Sequence, residues 1–235
     1  MKRNQVIPAI IALAFVLFPL VVRSPYYQHL VIMALIWVII GGSWNLLAGY
    51  TGQVSFGHAV FFGTGAYTAG IFASKLGVSA WWGMLFGGFT GALVGLLIGW
   101  ICFRLRGPYF ALATIAAGEI FRLIATNWES LTDGMVGILI LQTFRSKLPY
   151  YYLALALAAA SIFVFDLVMK SKLGFYFVSI REDQDAAESL GINAALYKNI
   201  SLLISSFFTG LAGAFYMNYM AFIDPEVVFS LHYIS

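Results

Sequence analysis

Charged residues are scarce in this sequence, and their scarcity excludes a water-soluble globular protein. Asp, Glu, Lys and Arg make up 10% of the 235 residues and hydrophobic residues make up 61%, whereas a soluble domain is roughly 25% charged. A soluble fold has too little interior to bury so much apolar surface, which leaves an integral protein in contact with membrane lipid. The formal net charge of +3 is small, so no nucleic-acid partner is expected.

Cysteine and histidine are too few for the common disulfide and metal sites. Cys102 is the single cysteine, which excludes a disulfide framework and a cysteine-based zinc cluster. His29, His58 and His232 lie far apart in the sequence, without the spacing of metal ligands. We therefore expect no metal site.

Motifs for catalysis are also missing. Lys170 is the only lysine followed by Ser or Thr, and Met169 precedes it where a Walker A motif has glycine. His58 lies three residues after Ser55, but no third group is evident that would orient such a pair for nucleophilic catalysis. No catalytic residue is predicted, and any uphill transport must draw its energy from a partner protein or an ion gradient.

The apolar runs are long and continuous, which indicates helices and not the alternating strands of about ten residues that build a membrane β-barrel. We predict an all-α integral membrane protein, a polytopic helical bundle that forms one domain over residues 1–235. Its seven predicted membrane helices are residues 6–22, 29–49, 59–74, 81–103, 109–126, 150–169 and 199–221. The first resembles a signal peptide, but Arg23, Ser24 and Pro25 make a poor cleavage site, so it is interpreted as uncleaved.

Glycine recurs every fourth residue in the fourth predicted helix, at Gly83, Gly87, Gly91, Gly95 and Gly99. Small residues at this spacing form a stripe along one helix face and let another helix approach backbone to backbone. The stripe therefore predicts a packing seam.

The stretch between the second and third predicted helices, residues 49–58, is polar and rich in glycine. It predicts an interrupted or re-entrant segment, because irregular backbone at membrane depth is tolerated only where protein buries it or where it lines a cavity. Transporters bind their substrates at such breaks. The candidate translocation-pathway residues are Gly52, Gln53, Ser55, Phe56, Gly57 and His58. A plain surface loop is the alternative.

Two charges lie inside the fifth predicted helix. Glu119 and Arg122 are three residues apart, so they share one helix face and can pair. An unpaired charge at the centre of a bilayer costs about 3 kcal/mol or more. We expect an intramembrane ion pair that faces the interior of the bundle, with a role at a gate or in the pathway as the alternative.

A charged segment, residues 181–191, stands between two long apolar runs and must lie on one membrane surface. Ala186, Ala187 and Leu190 favour helix, and Gly191 suits the left-handed residue that ends a helix. We predict a short surface helix with a small-residue patch at Ala186 and Ala187, onto which another protein docks.

The basic residues orient the chain. With the N-terminus in the cytoplasm, seven crossings place eight basic residues inside and four outside, as the positive-inside rule requires. The inside set is Lys2, Arg3, Arg104, Arg106, Lys170, Lys172, Arg181 and Lys198, and the outside set is Arg23, Lys75, Arg145 and Lys147. Residues 170–198 are therefore predicted to be a cytoplasmic loop, on the side where ATP is found.

These motifs resemble a known family. Asp185, Ala186, Ala187 and Gly191 resemble the E-A-A-x-x-x-G coupling loop of ABC importer permeases, with Asp in place of Glu. A wider, ordered set of stretches resembles the LivM-type permease of branched-chain amino-acid ABC importers. It comprises residues 45–49, 52–58, 105–107, 109–111, 118–122, 127–132, 180–192, 211–214 and 222–225.

That resemblance implies a heterodimer with a second, LivH-like permease subunit in the plasma (inner) membrane. It also implies two cytoplasmic ABC ATPase subunits that bind ATP and magnesium, so this chain needs no cofactor of its own. A solute-binding protein outside the cytoplasm would deliver leucine, isoleucine, valine or a similar solute, and ATP would shift the permease between outward and inward states. The candidate docking residues for the ATPases are Arg181, Glu182, Asp183, Asp185, Ala186, Ala187 and Gly191.

The sequence departs from this family in two ways. Asp133 stands where the family commonly has glycine. LivM-like chains usually continue through further apolar, glycine-rich segments, so we expect this chain to lack their C-terminal segments. Two alternatives stay open: a permease of the same family for urea or short-chain amides, and an ion-coupled secondary carrier.

Overall fold

A computed structural model describes residues 6–22, 24–103 and 108–229 of the chain. The first half contains α1 (Val6–Val21), α2 (Pro25–Asn45), a π-helix (Leu46–Tyr50), α3 (His58–Ser74), α4 (Ala80–Cys102) and α5 (Pro108–Asn127). A connecting region follows, with α6 (Glu129–Thr132), a 3₁₀ turn (Gly134–Val136) and β1 (Ile138–Leu139). The remainder comprises α7 (Lys147–Lys170), α8 (Lys172–Glu182), α9 (Gln184–Ser189), α10 (Ala194–Met220), β2 (Phe222–Ile223) and α11 (Pro225–Phe229).

Five helices within the described ranges are long and apolar enough to cross a membrane: α2 with its π-helical extension, α4, α5, α7 and α10. The fold class, a polytopic helical membrane protein, is therefore confirmed. The predicted number of seven membrane segments is higher than this. The two others, α1 and α3, have 16 and 17 residues, just short of the length of about 18 residues that marks a candidate span.

Helix boundaries differ from the prediction where a capping residue extends a helix beyond its apolar run. Helix α10 begins at Ala194, five residues before the predicted start, because the side chain of Asn193 accepts a hydrogen bond from the backbone N–H of Leu196 at 3.0 Å. Helix α2 begins at Pro25, which suits the first helical turn. The predicted loop at residues 170–198 is itself mostly helical, since it contains α8, α9 and the first turn of α10.

The core lies where α3, α4 and α10 pack against one another. A Cβ atom added to Gly87 would lie 2.7 Å from the Cβ of Ala214 on α10 and 2.8 Å from the carbonyl oxygen of Gly65 on α3. A Cβ atom on Gly91 would lie 2.9 Å from the carbonyl oxygen of Ser206. These positions leave no room for a side chain, so the predicted glycine seam on α4 is confirmed, and it contacts two helices at once.

The two ends of the bundle are defined by Arg181 at one end and Asp133 at the other. At the Asp133 end, Lys75 forms an ion pair with Asp133 at 3.0 Å. Asp133 has φ of +58°, the left-handed region that glycine adopts most readily, so the backbone conformation suits the glycine that the family resemblance led us to expect at this position. At the Arg181 end the basic residues include Lys170 and Lys172. Five of the basic residues used for the orientation lie outside the described part of the chain: Lys2, Arg3, Arg23, Arg104 and Arg106.

A short antiparallel ribbon ties the Asp133 end together. Strand β1 pairs with β2, with Ile138 opposite Ile223. Beyond β2 the carboxylate of Asp224 accepts the backbone N–H of Val227 at 2.8 Å and so caps α11. Asp224 therefore starts α11, whereas α10 ends earlier, at Met220.

The seam makes a prediction about stability. We expect Gly87→Ala to lower the free energy of unfolding by about 1–3 kcal/mol, because the added methyl group overpacks a contact made by backbone atoms. The matched control is Gly41→Ala on α2, where an added Cβ atom meets nothing within 4 Å. Thermal unfolding in mild detergent measures both variants. Equal stability of the two variants would contradict the close packing of α4 against α3 and α10.

Candidate functional site

The predicted break between α2 and α3 is present and begins with a change of helix type. At Leu46 the α-helix widens into a π-helix that ends at Tyr50, and residues 51–57 are not helical. Single turns of π-helix are frequent at functional sites. Thr51 is buried, and its hydroxyl lies 3.1 Å from the carbonyl oxygen of Leu46 and 2.8 Å from the hydroxyl of Ser201 on α10. The hydroxyl of Ser201 also lies 3.3 Å from the carbonyl oxygen of Leu46, so α10 contributes a polar contact to the point where the helix type changes.

His58 opens α3 and is 1% exposed. Its Nε2 atom lies 2.8 Å from the hydroxyl of Ser205, and that hydroxyl donates to the carbonyl oxygen of Ser43 at 2.8 Å. Because the serine proton is used on Ser43, Nε2 of His58 is the donor of the bond to Ser205. The chain of bonds links α3, α10 and α2 at one level of the bundle.

The rest of the break contacts α5. The backbone N–H of Phe56 donates to the hydroxyl of Thr114 at 3.1 Å, and a Cβ atom on Gly57 would lie 2.9 Å from the carbonyl oxygen of Thr114. Among the six candidate pathway residues, Ser55, Gly57 and His58 are buried, Gln53 is half-buried, and Gly52 and Phe56 are exposed. The segment thus combines a buried polar side with an exposed side.

The break and the 181–191 segment, predicted separately, meet at Arg181. Its Nη1 atom donates to the carbonyl oxygen of Gly49, in the π-helix, at 2.9 Å. Gly52 has φ of +74°, and a Cβ atom there would lie 3.0 Å from the Cγ of Arg181. Both its backbone conformation and this contact favour glycine. Arg181 also pairs with Glu182 through Nε at 3.0 Å.

The predicted surface helix in the 181–191 segment is α9. The carboxylate of Asp183 accepts the backbone N–H of Ala186 at 3.0 Å and caps its start. At the end of α9, Gly191 has φ of +85°. Its backbone N–H donates to the carbonyl oxygen of Glu188 at 2.9 Å, and the backbone N–H of Ile192 donates to the carbonyl oxygen of Ala187 at 3.1 Å. This pair of bonds around a left-handed glycine is a Schellman cap, so the predicted role of Gly191 in ending the helix is confirmed.

The predicted patch of Ala186 and Ala187 is divided between two faces of α9. Ala187 is 3% exposed and packs with Ile180 of α8 and Ala194 of α10. Ala186 is exposed, and so is Leu190, one turn further along. Residues four apart share a helix face, so the outward face carries Ala186 and Leu190, whereas Ala187 holds α9 in place. The expectation that both alanines lie on the surface is wrong for Ala187.

A second bond fixes α9 to α10. Lys198 is almost fully buried, and its ammonium donates to the side-chain oxygen of Gln184 at 2.6 Å. The count of basic residues treated Lys198 as a solvated residue of a cytoplasmic loop. In the structure it is buried between α9 and α10. Helices α8, α9 and the start of α10 form one packed unit at the Arg181 end.

Glu119 and Arg122 do pair, with Nη2 of Arg122 2.6 Å from Oε1 of Glu119. The prediction that the pair faces the interior of the bundle is wrong for this chain. The Glu119 side chain is 54% exposed and that of Arg122 is 29% exposed. The buried face of α5 lies around Phe110 and Thr114 instead, toward α3 and α4.

Sequence reasoning did not identify Ser201, Ser205 or Thr114 as members of the site. Ser201 and Ser205 are four residues apart on a helix whose other residues are mostly apolar. That spacing, which puts two hydroxyls on one face, was the signal that could have indicated a polar contact.

A bundle of membrane-spanning helices with a polar break in one of them, and with a folded helical unit at one end, has the architecture of a membrane transport protein. Residues 26–234 match the family described as the permease component of branched-chain amino acid transport systems, and the chain belongs to this family.

Two relatives carry the name high-affinity branched-chain amino acid transport system permease protein LivM, one from Salmonella typhimurium and one from Escherichia coli. Each is 29% identical to this chain over 224 residues, which cover 83% of this chain and 53% of the relative. The chain thus spans about half the length of the relatives it matches. No solved structure matches the chain.

Proposed function

We propose that this chain is the membrane-spanning permease subunit of an ABC importer that moves branched-chain amino acids into the cytoplasm, with ATP hydrolysed by partner subunits. The observation that carries the proposal is the family match over residues 26–234. The two LivM relatives supply the class of solute. The proposed partners are a LivH-like permease, two ABC ATPases that hold ATP and magnesium, and an extracytoplasmic solute-binding protein.

The packed unit of α8 and α9 supports an ATPase partner at the Arg181 end. Leu190 is 83% exposed at the end of α9, and Ala186 lies beside it on the same face. A large apolar side chain exposed outside the membrane, next to a small one, suits a groove on another protein. Helix α9 is fixed to α10, and α8 contacts the π-helix. A movement of α9 caused by a bound ATPase would therefore be transmitted to the break.

The proposed orientation places the Arg181 end and the N-terminus in the cytoplasm of the inner membrane. Among the described residues, Lys170, Lys172 and Arg181 lie at the Arg181 end and Lys75, Arg145 and Lys147 lie at the Asp133 end, so the proposed orientation rests on the count of basic residues over the whole sequence. The Asp133 end, which carries Lys75, would then face the solute-binding protein.

Uptake of labelled leucine tests the function. The chain, expressed from its complete gene with the LivH-like subunit and both ATPases, is reconstituted in vesicles and supplied with the binding protein. We expect uptake that requires ATP at the Arg181 end and that persists when ion gradients are collapsed. Uptake that follows an ion gradient without ATP would indicate a secondary carrier, and ATP-driven uptake of urea or a short amide in place of leucine would indicate another cargo.

Docking through α9 is tested by a pull-down with two matched variants. We expect Leu190→Glu to reduce ATPase recovery at least tenfold, because it places a charge in an apolar contact, while the chain remains folded. Leu141→Glu is the control, since Leu141 is 92% exposed at the Asp133 end. Equal ATPase recovery with both glutamate variants would contradict docking through this face.

A further inference from the structure

The ion pair of Glu119 and Arg122 occupies the middle of a membrane-spanning helix. With a rise of about 1.5 Å per residue, Glu119 lies roughly 17 Å from the start of α5 at Pro108 and roughly 12 Å from its end at Asn127. Despite this depth, both side chains are substantially exposed on the surface of the chain. The exposed side of α5 thus presents two formal charges at the level of the hydrocarbon.

The hydrocarbon region of a membrane is an unfavourable environment for these two charged side chains. Ionisable side chains within membrane segments almost always face a bundle interior or a water-filled cavity, because burial in hydrocarbon costs several kcal/mol. The other side of α5 packs against α3, α4 and α11. No residue that the structure describes covers the side with Glu119 and Arg122, so something polar beyond the described residues must cover it.

The charges at this point match a particular kind of ligand. Arg122 donates to Glu119 through Nε at 3.0 Å and through Nη2 at 2.6 Å. Its third nitrogen, Nη1, has no hydrogen-bond partner among the residues that the structure describes. Glu226 on α11 also interacts electrostatically with Arg122. Arg122 thus keeps one guanidinium nitrogen available while it pairs with Glu119, an arrangement that suits a ligand with one carboxylate and one ammonium group.

We propose that Glu119 and Arg122 line the water-filled solute pathway and bind a zwitterionic solute, with Arg122 binding its carboxylate and Glu119 its ammonium group. The pathway would run between the exposed side of α5 and the second permease subunit. This proposal rests on the function proposed above. Binding exchanges one charge-assisted pair for two, so no charge is left unpaired at any stage.

Thiol modification tests whether the side of α5 that carries Glu119 and Arg122 is accessible to water. In a Cys102→Ser background, Ala116→Cys places a thiol on the exposed side of α5, one turn from Glu119, and Leu93→Cys places one on the exposed side of α4 at similar depth. A charged methanethiosulfonate reagent modifies thiols in water. We expect the thiol at position 116 to react at least tenfold faster than that at 93, and leucine with binding protein to slow it. Equal, slow reaction at both positions would overturn the proposal.

Transport kinetics test what the pair binds. We expect Arg122→Gln and Glu119→Gln each to raise the KM for leucine at least tenfold while ATPase recovery in the pull-down stays unchanged. The double variant Glu119→Arg/Arg122→Glu keeps an ion pair but exchanges its ends, and we expect its KM to stay high. Restoration of wild-type uptake by this exchange would show a purely structural pair and overturn the proposal.

These outcomes are separable from failure of the proposed function. If the wild-type complex takes up no leucine, the proposed cargo is wrong, whereas the thiol at position 116 still reports whether the face of α5 is wet. If leucine uptake is normal and the position 116 thiol is as unreactive as that at 93, the function stands and the pathway assignment is wrong.

Discussion

The close approach of α3, α4 and α10 is the contact on which the remaining structure depends. Lipid tails are as apolar as leucine, so helices in a membrane gain little from hiding apolar side chains and associate instead through close packing and hydrogen bonds. Gly65, Gly87 and Gly91 allow backbone atoms of the three helices to touch. This contact sets α10 beside α3 at a distance where short side chains can bridge them.

That position of α10 has consequences at the Arg181 end. Ser201 and Ser205 on α10 form hydrogen bonds with Thr51 and His58, which stand at the two ends of the break. These bonds help the bundle to hold a non-helical stretch. The same helix continues past these serines to Lys198, which bonds to α9. Arg181 completes the connection from α8 to the π-helix. The proposed ATPase contact and the break are thereby joined by α8, α9 and α10 and by four polar contacts.

The sequence predicted those features that depend on local chemistry. The four-residue spacing of glycines predicted the seam, and Gly191 predicted the end of α9, because backbone conformation and small size are properties of the residue itself. The burial of Ala187 and the exposure of Glu119 could not be predicted in this way. Periodicity shows which residues share a face, but the neighbouring helix decides whether that face is covered, and the neighbour of α5 on that side is not among the residues that the structure describes.

The coupling of α9 to the break is tested most directly by ATPase activity in the reconstituted complex. The comparison is between wild type, Arg181→Ala, which removes the bond to Gly49, and Lys172→Ala, which removes an exposed charge on the same helix. If the ends are coupled as proposed, the ATPases still bind to the Arg181→Ala complex, but solute-loaded binding protein no longer stimulates their activity, while Lys172→Ala behaves as wild type. Full stimulation in the Arg181→Ala complex would contradict the coupling.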